Sequence, residues 1–444
     1  MQNSLPSLVF PAVSGRQVVA SFTGGDITSD AGVLLLHQAD KKVGVIDALC
    51  SSICDARQAS KITHSVRDIV AARVFAIASG YEDANDLDRL RVDPALKIAC
   101  ERLPSQADLA SQPTVSRLEN AIRPRHLLQM AIAMAEQVIA QLPPNSRRVI
   151  LDVDATSDPC HGQQELEGFN GFYDTHCYLP LLLYITGPDG RQRLLASMLR
   201  PGKAGWSMGL FGMLQRAIAI LRKQLPDVKI ILRADAGFGY GELIDFCVAQ
   251  EIDFVFGLRG NRRLATLSTS VQIWAALKYK WAGDGCREYD EFRYKAGSWP
   301  SCRRVIVKAE ITRGELNPRF LVTSLRWKPE KVYLFYCERG DRENRIKELK
   351  LDLSSGRTSC HRFWANQFRL LLHTGAYVLM QTLQEAAAGT EWENAQVATI
   401  RTRLLKIAAR VVESCRRLCF HLPTSCPVQP IWFHLNRRLT AGTT

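Results

Sequence analysis

The chain has 444 residues, 46% of them hydrophobic and 23% charged, with 57 Lys and Arg against 44 Asp and Glu and a formal net charge of +13. This composition excludes a disordered, collagenous or low-complexity chain, and the length allows two or three domains with ample core. The basic excess points to a polyanionic partner, nucleic acid before a membrane surface. No basic segment followed by an apolar run opens the chain, and the longest apolar stretch, residues 370–383, is too short to span a bilayer, so neither a secretory signal nor a membrane anchor is expected. The 13 cysteines include no CxxC pair and have no His pair at zinc-finger spacing. That pattern predicts reduced thiols and an intracellular protein.

Residues 8–23 read as short strands before the Gly24-Gly25 turn. Helical periodicity follows to about residue 140, so residues 1–142 are expected to form a mainly helical N-terminal domain. Arg89, Arg91, Arg117, Arg123 and Arg125 give that segment a basic face. The run from Ser111 to Arg117 suits either a short DNA-reading helix or the caps and turns of a bundle. Beyond the Pro143-Pro144-Asn145-Ser146 linker the pattern changes. Residues 148–154 form an apolar strand ending in acid, with Asp152 and Asp154 on one face. Residues 178–186 and 191–200 continue as strands, 206–224 as a helix, 228–235 as a second apolar strand ending in acid, 241–251 as a helix and 252–258 as a strand.

Residues 259–330 read as a β-rich insertion that interrupts this sheet. Its interleaved Arg, Lys, Trp and Tyr suit either DNA contact and base stacking or ordinary cross-strand pairing. Residues 331–337 are expected to be a strand leading into a helix. On that helix Arg339, Glu343, Lys347 and Lys350 would share one stripe with Tyr336. An apolar helix is expected over 363–383. An amphipathic helix over 397–417 carries Arg401, Arg403, Lys406 and Arg410 on faces that could track a phosphate backbone or simply be solvated.

Three acids stand out. Asp154 and Asp235 each close an apolar strand, and Glu343 sits on a cationic helix after the insertion. Three carboxylates without Cys or His suit a hard cation, Mg²⁺ or Mn²⁺, and a pair of such ions can drive phosphodiester cleavage. Asp152 is a rival first ligand, with Asp158 and His161 more distant ones.

On these residues the chain resembles the DDE transposases of bacterial insertion sequences. Tyr336, Arg339, Glu343 and Lys350 match the pattern Tyr-x2-Arg-x3-Glu-x6-Lys of one group. Asp154-Ala155-Thr156 and Asp235-Ala236-Gly237-Phe238 suit the family's first two acids. Residues 80–85, 111–114 and 366–369 extend the likeness over most of the chain. The resemblance implies an α/β fold: a ribonuclease-H-like mixed sheet with flanking helices, a β-rich insertion before the last catalytic acid, and a helical N-terminal DNA-binding domain. Core residues would be 147–258 and 331–385, the insertion 259–330, and a basic helical C-terminal region 386–444. It further implies that Asp154, Asp235 and Glu343 hold two Mg²⁺ or Mn²⁺ ions, favouring Asp154 over Asp152. By the resemblance Tyr336, Arg339 and Lys350 would meet DNA, and the cationic stripe read from the residues themselves adds Lys347. Metal-dependent cleavage at element ends and strand transfer would follow, by a homodimer on double-stranded DNA in the bacterial cytoplasm, associated with the nucleoid. A DNA-binding protein without catalysis, or a nuclease without strand transfer, are the alternatives.

Overall fold

The apolar run after Arg148 forms an inner strand of an eight-stranded sheet in a computed structural model of the protein, which describes residues 7–53, 55, 57–282 and 285–441, and the backbone alone of Ala282, Asp341, Arg342 and Glu343. The strands of this sheet are β1 (Arg148–Ala155), β2 (Leu181–Thr186), β3 (Gln192–Met198), β4 (Lys229–Ala234), β5 (Asp253–Leu258), β6 (Cys286–Tyr294), β7 (Arg303–Thr312) and β8 (Glu315–Thr323). Their order is β6-β7-β8-β5-β4-β1-β2-β3. β1, β4 and β5 run parallel, and the other pairings are antiparallel. The parallel strands are nearly continuous apolar runs because helices cover them. Helix Leu210–Gln224 buries Leu210, Leu214, Ala217, Ile218 and Leu221, one stripe at helical spacing. Helix Gly241–Ala249 supplies the crossover from β4 to β5 that a parallel pair requires.

The chain divides into two compact units. One comprises Leu127–Lys350 and Gly356–Thr374 and holds this sheet; the other comprises Met1–His126, Leu351–Ser355 and Gly375–Thr444.

Two expectations for the first unit are corrected. Residues 259–330 do not interrupt the sheet. They begin as helices Arg262–Leu267 and Thr269–Ala282, and then supply β6, β7 and β8, which extend it through the β8–β5 pairing. Val305, Val307, Ala309 and Ile311 alternate inward along β7, so this segment buries apolar side chains as any sheet edge must. Residues 331–337 are not a strand. Pro329 starts a helix, Pro329–Cys337, because its fixed φ and missing N–H suit the first helical turn. Val332, Tyr333 and Phe335 then pack on Ile231, Val255, Ile306 and Leu321 of the sheet. Burial of each contributes about 1.5–3 kcal/mol, which outweighs the β propensity of the run.

The other unit is built on helices Val33–Val43, Val45–Cys50, Val66–Ala78, Pro94–Ala99, Gln112–Ala121 and Gln429–Thr440. A capping box of Ser65 and Asp68 opens Val66–Ala78. Gly32 meets the chain at Leu404 and Leu405 so closely that a Cβ there would fall 2.3 Å from the Leu405 Cα. The expected helix over 397–417 is also corrected, and with it the wholly helical reading of 386–444. Helical turns end at Leu405, and strand Ala409–Glu413 follows, paired with Leu418–His421 and Ile27–Thr28. Alternating burial of Ala409 and Val411 is the two-residue period of a strand, and the sheet partners decide it. Among the described residues no helix is long and apolar enough to cross a membrane.

Candidate active site

The site is assembled by register. On β1, Val153 lies opposite Ala234 of β4, so Asp154 and Asp235 leave adjacent parallel strands at the same level. β4 pairs in turn with β5 through Ala234 and Phe256, which puts Gly257 beside Asp235. The turn after β4 is held by its own acid, since the Gly237 N–H donates to Asp235 Oδ1 at 2.8 Å. The Ala155 N–H donates to Asp154 Oδ1 at 2.9 Å.

The two carboxylates converge on one cationic atom. Arg339 Nη2 donates to Asp154 Oδ2 at 3.1 Å and lies 3.7 Å from Asp235 Oδ2. Burial pushes the Asp154 carboxyl up to about 6; Arg339 opposes this and Asp235 adds to it. Asp235 is the more open of the two, its side chain 40% exposed against 14% for Asp154. Tyr336 is half-buried beside Arg339, and its hydroxyl lies only 2.8 Å from where a Cβ on Gly257 would stand. Burial raises the Tyr336 hydroxyl pKa, with Arg339 opposing.

Asp152 shares the face of Asp154 but not its environment. It is fully buried, and Arg233 of β4 grips both its oxygens at 2.9 Å. The same guanidinium donates to the Phe335 carbonyl at 2.6 Å and stacks 4.7 Å from the Phe335 ring. This buried pair therefore anchors the end of helix Pro329–Cys337 and so sets where Tyr336 and Arg339 fall. Asp152 thus serves as an anchor, its carboxylate turned to Arg233.

The expected single stripe is broken into three helical geometries. Tyr336 ends an α-helix, Arg339 lies in the 3₁₀ turn Glu338–Gly340, and Lys350 lies in the π-turn Glu348–Asp352. Lys350 turns to the segment after β1: Nζ donates to Thr156 Oγ1 at 3.1 Å and to the Ser157 carbonyl, and stands 3.7 Å from Asp158 Oδ1. Asp158 is buried, and burial pushes its carboxyl up to about 6 against the pull of Lys350. Asp158 is therefore a counter-charge for Lys350. Lys347 is exposed. Glu343 lies on helix Asp341–Lys347, and its side chain is outside the described residues. His161 is exposed in the loop after Asp158.

Three contributors escaped the sequence reading. Arg233 has a signal: a charge within an apolar strand must find a buried partner. Tyr173, half-buried in the turn between the short strands Gly168–Asn170 and Thr175–Tyr178, feels both site acids; burial first, then Asp154 and Asp235, raise its hydroxyl pKa. No sequence signal marks it. Gly257 shows only as a lone glycine in an apolar strand, the usual mark of close backbone approach.

The donor set fits the metal that three acids imply. Oxygen ligands suit a hard cation, and two carboxylates already meet about one positive atom. Among the described residues no group of three or more His, Cys, Asp or Glu is gathered for a metal, and the Glu343 carboxylate is not among them. A search of the curated proteins finds no match to the chain. The family model described as transposase DDE domain group 1 matches residues 10–443. With nearly its whole length matched, the chain belongs to the transposase DDE domain family.

Proposed function

We propose that the protein is a DNA transposase of the insertion-sequence type, cutting DNA at the element's ends and joining the exposed 3′ hydroxyl to target DNA. The observation that carries this reading is the convergence of Asp154 and Asp235 on one cationic point at the level ends of two parallel strands. The strand run β3-β2-β1-β4-β5, with only β2 antiparallel among the five, supports a ribonuclease-H-like core. Asp154, Asp235 and Glu343 would hold Mg²⁺ or Mn²⁺, two ions in all, supplying an activated water and charge stabilisation for phosphodiester chemistry.

The chain's own groups do the rest. Tyr336, Arg339, Lys347 and Lys350 meet phosphates near the scissile bond. The buried Asp152–Arg233 pair holds the helix end that aims Tyr336 and Arg339. Cleavage and strand transfer both attack phosphorus with an oxygen nucleophile, so no covalent enzyme intermediate is required. The N-terminal helical segment, with Arg117, Arg123 and Arg125, would bind the terminal repeats. A homodimer on paired ends, acting in the bacterial cytoplasm at the nucleoid, completes the reading.

The test uses a duplex carrying the inverted repeats that flank the coding sequence, with wild type and Glu343→Gln, and with Mg²⁺ present or absent. Metal-dependent nicking that disappears in the variant while DNA binding persists supports the triad. Equal cutting by both proteins removes Glu343 from it. Binding without cutting by either protein favours a DNA-binding protein without catalysis, and nicking without joining favours a plain nuclease.

A further inference from the structure

Arg339 does something unusual for a residue meant to grip a phosphate. Its Nη2 is spent on protein carboxylates, 3.1 Å from Asp154 and 3.7 Å from Asp235. A divalent cation that took both carboxylates as ligands would need the space beside them that this nitrogen now approaches. Two positive centres cannot occupy that point together, because their repulsion at such range in a partly buried site is large.

The surroundings allow the arginine to leave. Its side chain is 17% exposed, so part of it already reaches solvent. It sits on a single 3₁₀ turn, followed by Gly340, between the anchored helix end at Phe335 and the next helix. Tyr336 beside it stands over Gly257 and hydrogen-bonds the guanidinium, so departure of the arginine exchanges that bond as well as the carboxylate contacts. By contrast Arg233, locked on both oxygens of Asp152 and 3% exposed, has no such freedom.

We infer that Arg339 acts as a resident counter-ion of the metal-free site, holding Asp154 and Asp235 together until a divalent cation displaces it. Displacement frees the guanidinium for a phosphate, so metal loading and DNA engagement are coupled through one side chain. Without metal, the acids are neutralised and Arg339 is withheld from DNA. This inference rests on the proposal that Asp154 and Asp235 are metal ligands.

The test is Mn²⁺ binding to the metal-free full-length protein at pH 8, followed by calorimetry and by the electron paramagnetic resonance of free Mn²⁺. No DNA and no activity are involved. Arg339→Gln is expected to bind Mn²⁺ about tenfold more tightly, because a charged, partly buried hydrogen bond no longer competes. Arg339→Lys keeps the competing charge and is expected to bind within a few-fold of wild type. Asp154→Asn is expected to lose binding. A purely structural role for Arg339 predicts the opposite sign, since loosening the acids weakens the site.

If Asp154→Asn loses Mn²⁺ but Arg339→Gln binds no more tightly than wild type, the displacement is overturned and the metal site stands. Equal tightening in the Gln and Lys variants also overturns it, because the charge is then not what competes. Should Asp154→Asn bind as wild type does, the metal-site reading fails and this inference fails with it.

Discussion

Two aspartates stand two residues apart on one strand, each paired with an arginine, and the pairs behave as opposites. Asp152 and Arg233 are 0% and 3% exposed and locked by two bonds of 2.9 Å. Asp154 and Arg339 are 14% and 17% exposed, joined by one bond of 3.1 Å that Arg339 divides with Asp235. The inner pair is closed and also fastens the Phe335 carbonyl, so its work is anchoring. The outer pair is less deeply buried and its arginine is shared between two carboxylates, so its contacts are the more exchangeable. The same residue types two positions apart thus sit in unlike environments, and depth below the strand's end decides which pair is sealed.

Substitutions should separate the two pairs sharply. Asp154→Asn is expected to cut metal-dependent cleavage on the order of a thousandfold or more, as loss of a ligand in a cooperative site does. Its thermal stability at pH 8 should be unchanged or raised, because burial already disfavours the ionised Asp154. A parallel fall in melting temperature would place Asp154 with the anchoring pair. Arg233→Ala is expected to cost about 3–5 kcal/mol in urea unfolding, since it leaves Asp152 buried without its guanidinium partner. A cost below about 1 kcal/mol would mean the inner pair anchors nothing.

A gentler probe is Gly257→Ala. The new methyl would stand 2.7 Å from the Ala236 nitrogen and 2.8 Å from the Tyr336 hydroxyl. We expect a stability loss of about 1–3 kcal/mol from overpacking, with cleavage falling further than the folded fraction does. Proportional losses would show that Tyr336 tolerates displacement.

The smallest effect concerns a third kind of buried acid. Asp40, in the helical unit, accepts the Ile46 N–H at 2.9 Å, and burial pushes its carboxyl up to about 6; Asp47 adds to this while Arg67 and Lys41 oppose it. The folded chain then holds the proton more tightly than the unfolded chain. Its contribution is full below about pH 4 and is lost as pH rises through about 6. Asp40→Asn should flatten the stability profile between those values, and an unchanged slope in denaturation at several pH values would assign it elsewhere.

Much of the fold was legible because its signals are local. The apolar runs ending at Asp154 and Asp235 became adjacent parallel strands, and the strands at 181–186 and 192–198 fell near their expected places. Misreadings arose where local preference met distant partners. Residues 331–337 carry β-prone side chains yet form a helix, because Pro329 starts it and the sheet face needs cover. Residues 409–413 have helical spacing yet pair as a strand with chain from both ends of the sequence. The segment after 259 looks like an interruption from its sequence because no local pattern reveals which edge of a sheet a hairpin joins.

The sequence by itself determined the chemistry on offer: three acids at ordered positions, a cationic run about the last of them, and a basic chain that suits a polyanion. Those follow from residue type, short-range periodicity and net charge. Only the tertiary structure decided which aspartate is sealed and which is open, and where Arg339 rests. Arg233 meets Asp152 across 81 residues, and Arg339 meets Asp154 across 185. Contacts at such separation depend on strand register and helix placement, and these are fixed by burial summed over a whole sheet.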